Sequence, residues 1–79
     1  MAGTDDKLLE AFAKILRQQR LAKGLSQEEL AHRAGVSMRY ISLLESRHHQ
    51  PSLAAVRGLC IGLGITMTEF VQRVESELG

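Results

Sequence analysis

Gly24, Gly35, Pro51 and Gly64 break the chain at short intervals, and a residue able to cap a helix (Ser26, Ser37, Ser52 or Thr66) follows each. Between the breaks, apolar residues recur three and four positions apart. Nowhere do they alternate singly with polar ones, and β-branched residues do not cluster. This punctuation leaves room for short helices and none for strands. The expected fold class is all-α: a compact five-helix bundle in one domain over 1–79, with its core over 12–70.

The first helix is expected from about Asp6 to Lys23, with Leu8, Phe12, Ile15 and Leu16 as its apolar stripe. Asp5 and Asp6 suit the positive end of a helix dipole, and Gly24 suits the left-handed residue that ends one. Ser26 and Glu29, three apart, form a capping box that opens a second helix, Gln27 to Ala34, with Leu30 and Ala31 inward. Ser37 caps a third helix from Met38 to about Glu45, with Ile41 and Leu44 inward. After a polar loop, Ser52 caps a fourth helix carrying Leu53, Val56, Leu59, Cys60 and Leu63. Thr66 and Glu69 make a second capping box for a fifth helix over 67–78, with Met67, Phe70, Val71, Val74 and Leu78. Gly58 and Gly62 inside the fourth helix each cost about 1 kcal/mol relative to Ala. Close approach of another helix accounts for Gly62; Gly58 has no reason visible in the sequence.

Several functions are excluded by what the chain lacks. A chain of 79 residues buries only about 60% of its unfolded surface, too little for a deep cleft between lobes. One cysteine, Cys60, allows neither an internal disulfide nor a zinc site built on several thiolates, and it falls on an apolar stripe. His32, His48 and His49 have no carboxylate or thiol at ligand spacing, so no metal is expected. No Ser/His/Asp or Cys/His arrangement and no glycine-rich phosphate loop is present. The chain is therefore expected to be no enzyme and to need no cofactor or small-molecule ligand. No apolar run approaches the roughly 20 residues that span a bilayer. The acidic start does not suit a leader peptide, and the expected compartment is the cytoplasm. The net charge is only +1, but residues 14–50 hold seven Lys/Arg against three Glu while both flanks are acidic.

Two short helices joined by Gly35-Val36-Ser37 have the form of a helix-turn-helix, occupying about 26–45. Gly35 supplies the positive φ of the reversal, Val36 packs the turn onto the core, and Ser37 leaves the next helix's first turn exposed. With Ile41 and Leu44 inward, Met38, Arg39 and Ser42 face outward. The N-terminal residues of such a helix meet base edges in the major groove. Arg39 suits a bidentate contact to guanine, Met38 a thymine methyl, and Ser37 and Ser42 a base or phosphate.

The run Gly24-Leu25-Ser26-Gln27-Glu28-Glu29-Leu30-Ala31, then Gly35-Val36-Ser37, Tyr40-Ile41-Ser42, Glu45 and Pro51-Ser52-Leu53, resembles the phage repressor and Cro-like family. This is the xenobiotic-response-element type of helix-turn-helix, and the register holds from about Phe12 to Phe70. The resemblance implies a lambda-repressor-like fold bound to double-stranded DNA. It implies base reading by Ser37, Met38, Arg39 and Ser42, and phosphate contacts from Gln27, Tyr40, Arg47 and His48. It also implies a partly buried Arg20–Glu45 salt bridge behind the reading helix. Met38 stands where the family often carries a polar reader, and Leu43 on the outer edge adds to an apolar face. The fifth helix has more apolar residues than its own domain needs, so Phe70, Val71, Val74 and Leu78 are expected to form a homodimer contact. The expected function is a sequence-specific transcription regulator on a palindromic operator. The alternative is a protein-interaction module, such as an antitoxin that binds a toxin, and Met38 and Leu43 favour it.

Overall fold

Five helices account for the fold of the computed structural model, which describes residues 2–46 and 49–79, with side chains from Asp6 onward. They are α1 (Ala2–Ala22), α2 (Gln27–Ala34), α3 (Met38–Glu45), α4 (Leu53–Leu63) and α5 (Met67–Leu78). No strand occurs among the described residues. α1 starts four residues before the expected Asp6. Only Gly3 opposes helix there, and a single glycine costs too little to stop one.

The caps are largely those the sequence prescribes. Ser26 Oγ accepts from the Glu29 N–H at 3.0 Å, and the Glu29 carboxylate accepts from the Ser26 N–H at 2.8 Å. The bonds from Ser26 hold the Glu29 carboxyl below the usual carboxylate range. At α5 the box closes on one side only. Thr66 Oγ1 accepts from the Glu69 N–H, but the Glu69 carboxylate pairs with Arg73 instead, at 3.1 Å.

The core draws Phe12, Ile15 and Leu16 from α1, Leu30 and Ala31 from α2, Ile41 and Leu44 from α3, Leu59, Cys60 and Leu63 from α4, and Phe70 and Val74 from α5. Phe12 and Phe70 meet edge to face at 5.3 Å and join the first helix to the last. Lys14 and Glu77 pair across the same two helices at 2.8 Å. Cys60 is buried, and burial pushes its thiol pKa up, which leaves it a packing residue with little thiolate character. Two residues of the α1 and α4 stripes are exposed. Leu8 is exposed, one turn short of Phe12, and Leu53 is 75% exposed at the first position of α4.

The glycines of α4 are explained by α2. A Cβ built on Gly58 would lie 2.8 Å from the Ala34 carbonyl oxygen. One on Gly62 would meet Leu30 Cδ1, Arg33 Cβ and the Ala34 nitrogen at 3.1–3.3 Å. α4 therefore presses its backbone against the C-terminal end of α2, just before the turn that leads to α3. Tertiary contact outweighs helix propensity here.

One polar cluster crosses this core. Arg20, on α1, donates through Nε to Glu45 Oε2 at 2.6 Å and through Nη2 to Glu45 Oε1 at 3.0 Å. Its Nη1 donates to the Leu25 carbonyl at 2.9 Å. The two side chains are only 9% and 4% exposed, and Glu45 raises the Arg20 pKa further. One guanidinium thus fixes the end of α1, the α1–α2 turn and the end of α3.

Two substitutions test this framework by urea denaturation. Gly58→Ala is expected to destabilise by about 1–3 kcal/mol, the cost of overpacking, whereas an open helical site would gain about 1 kcal/mol. Glu45→Ala, which strands a buried guanidinium, is expected to cost about 3–5 kcal/mol. Replacing Arg20 and Glu45 together by leucine should recover much of that loss, because no charge is then left unpaired.

Candidate nucleic-acid interface

α2 ends in a left-handed glycine because the chain must turn sharply there. Gly35 has φ 74°, its N–H bonds the His32 carbonyl, and the next N–H, of Val36, reaches back to Ala31 at 3.0 Å. This closes the helix end and satisfies its last carbonyls. Val36 is half-buried against the core, which anchors the turn. Ser37 then accepts from the Tyr40 N–H at 3.0 Å and starts α3. The two helices and their turn occupy the span the sequence indicates.

α3 presents two distinct sides. Ile41 is fully buried and Leu44 nearly so, while Ser37, Arg39 and Ser42 are exposed and Met38 is 53% exposed. Among the described residues Arg39 makes no ion pair. Its guanidinium is therefore available to an external acceptor. Leu43 is half-buried, so the apolarity of the outer face reduces to Met38. Ser46 closes the far end of α3 by donating to the Ser42 carbonyl at 2.9 Å.

The remaining expected contacts are arranged less simply. Gln27, the first residue of α2, is half-buried, and its amide nitrogen donates to Glu45 Oε1 at 3.1 Å. Its side chain thus joins the Arg20 cluster, which leaves the amide oxygen and the backbone N–H groups of Gln27 and Glu28 for outward partners, the Glu29 N–H being taken by Ser26 Oγ. No sequence pattern announces that bond, since the two residues are 18 apart. Tyr40 is half-buried and its ring meets His49 edge to face at 6.0 Å. Arg47 and His48 lie outside the described residues. Of the basic residues over 14–46, Arg20 is consumed by Glu45 and Lys14 by Glu77, so Arg17, Lys23, Arg33 and Arg39 carry the exposed positive charge.

On α5, Phe70 and Val74 are buried in the protomer's own core at 1% and 6% exposure. Val71, at the edge of the same stripe, and Leu78, one turn beyond Val74, are each 47% exposed. Val71 borders a small apolar groove that Leu8 and Leu9 of α1 and Pro51 and Val56 also line. Among the described residues no group of three or more His, Cys, Asp or Glu side chains is placed to hold a metal ion. No described helix is long and apolar enough on its own to cross a membrane.

A helix-turn-helix family model matches residues 16–70. The HTH-type transcriptional regulator y4dJ of Sinorhizobium fredii is 37% identical over 60 residues, covering 76% of this chain and 73% of its own. YqaF of Bacillus subtilis, also an HTH-type transcriptional regulator, is 33% identical over 64 residues, covering 81% and 84%. Among solved structures, the clp gene regulator ClgR from Corynebacterium glutamicum superposes with a TM-score of 0.84 at 30% identity, over 90% of this chain and 76% of that one. The restriction-modification controller protein C.Esp1396I, solved as a tetramer with its natural 35 base-pair operator, gives 0.85 at 25% identity over 90% and 93%. With this register, these caps and an exposed reading helix, the chain belongs to the XRE-type helix-turn-helix family of DNA-binding transcriptional regulators.

Proposed function

We propose that the chain binds a palindromic operator as a homodimer in the cytoplasm, with α3 in the major groove, and regulates transcription by occupying that site. The observation that carries this reading is the first turn of α3. It is capped by Ser37 and presents Arg39 to solvent, with Ser42 on the same side, while Ile41 and Leu44 hold the helix to the core and Arg20 holds its last residue, Glu45. In this reading Arg39 forks onto a guanine, and Ser37, Met38 and Ser42 meet neighbouring base edges. The N–H groups at the start of α2, with Gln27, take a phosphate, and Tyr40, Arg47 and His48 follow the backbone beyond.

Dimerisation is supported by apolar exposure. Val71 and Leu78 are the α5 residues left for a second copy once Phe70 and Val74 are committed to the core. The operator-bound tetramer of C.Esp1396I is a precedent for assembly of this fold on DNA. A protein-docking role for the same α3 face rests on Met38 alone, since Leu43 is half-buried.

Selection of bound sequences from a random DNA pool is expected to return a twofold-symmetric site. Affinity for it should fall linearly with log salt, because phosphate contacts release counterions; no salt slope would indicate a protein-docking face instead. Arg39→Ala is expected to cost about 1–3 kcal/mol on that site and to relax one base pair per half-site, and Gln27→Ala to weaken all sequences alike. An equal loss for Arg39→Ala on random DNA removes its base-reading role. Val71→Glu should yield a folded monomer in sedimentation equilibrium with much weakened operator binding; an unchanged oligomeric state would place the dimer contact elsewhere.

A further inference from the structure

Met38 occupies the first position of α3 and is 53% exposed, on the side of the helix that carries Arg39 and Ser42. It offers no N–H or O–H, and its sulfur is a weak acceptor. Val36, from the turn, lines the same shallow depression, whose far side carries Glu28, Glu29, His32 and Arg33, and adds a second apolar surface beside Met38. In the major groove, all the base-edge groups that are read are polar donors or acceptors except one, the C5-methyl of thymine. A flexible, polarizable thioether at the mouth of the reading helix matches that group and no other feature of the groove.

We propose that Met38, with Val36 beside it, reads the 5-methyl group of a thymine, so that this position specifies its base by apolar contact where Arg39 specifies by hydrogen bonds. The inference rests on α3 entering the major groove as proposed above. Because Met38 is half exposed and outside the core, its replacement leaves the fold intact, which an unchanged melting temperature verifies.

The experiment uses the full chain and the duplex it selects from the random pool, with each thymine replaced in turn by deoxyuridine. Loss of the one methyl group that Met38 covers is expected to weaken wild-type binding about fourfold per half-site, the worth of one buried methyl-sized group. Met38→Ala should bind the thymine and uracil duplexes equally at that position while keeping the other preferences of the site. Met38→Leu, which retains an apolar contact of similar size, should restore the discrimination. If every uracil substitution affects wild type and Met38→Ala alike, or if Met38→Ala weakens all duplexes by one common factor, the methyl-reading role is overturned while the DNA-binding reading stands. If the pool yields no preferred sequence, the DNA-binding reading falls and this inference falls with it.

Discussion

The buried pair of Arg20 and Glu45 is the interaction on which the rest of the arrangement depends. Removing two charges from water costs several kcal/mol per ion, so such a pair is tolerated only with good geometry and satisfied hydrogen bonds. Both conditions are met. The guanidinium engages both carboxylate oxygens and the Leu25 carbonyl, and Gln27 adds a further donor to Glu45. Among the described residues no buried side-chain polar atom is left without a partner. The net stabilisation of such a cluster is small beside that of the apolar core. Its consequence is positional: the last residue of the reading helix is tied to α1 and to the first residue of α2 at the same point.

Directional bonds matter in this chain because the apolar core alone is permissive. Ile41 and Leu44, with half-buried Tyr40, hold α3 to the bundle, but apolar contact is non-directional and leaves a short helix free to rotate by a fraction of a turn. The fork between Arg20 and Glu45 fixes that rotation, and with it the direction of Arg39 and Ser42. At the other end of α3, the Ser37 cap and the closed end of α2 at Gly35 fix where the helix begins. α4 contributes from behind, since the close seat of Gly58 and Gly62 against Ala34 sets the height of the C-terminal end of α2. α3 and the start of α2 are thus held by separate devices that share Glu45.

Charge follows the same economy. A net charge of +1 understates what DNA would meet, because residues 14–50 hold seven Lys/Arg against three Glu while both flanks are acidic. The exposed basic residues of the central segment remain, opposed there by Glu28 and Glu29, and the carboxylate of Glu29 is engaged with the Ser26 backbone. The outward face of α3 itself carries one cation, Arg39, and one large apolar side chain, Met38. Such a face is suited to reading a few groups rather than to gripping phosphates.

The number of helices, most of their caps and the apolar side of each are legible in the residues alone. These follow from local chemistry: a glycine that accepts positive φ, a hydroxyl three residues before an amide, and apolar residues at helical spacing. The register of the family motif carried the Arg20–Glu45 pair as well. The tertiary structure decided what depends on neighbours distant in sequence. Gly58 made sense only when the Ala34 carbonyl was found against it, and Gln27 proved to be shared with Glu45 on α3. Phe70 and Val74 looked like surplus apolar surface along α5, yet α1 covers them, whereas Leu53, on an equally convincing stripe, lies beyond the reach of any neighbour. Periodicity fixes which side of a helix is apolar; how far along the helix that side is covered depends on where the other helices end.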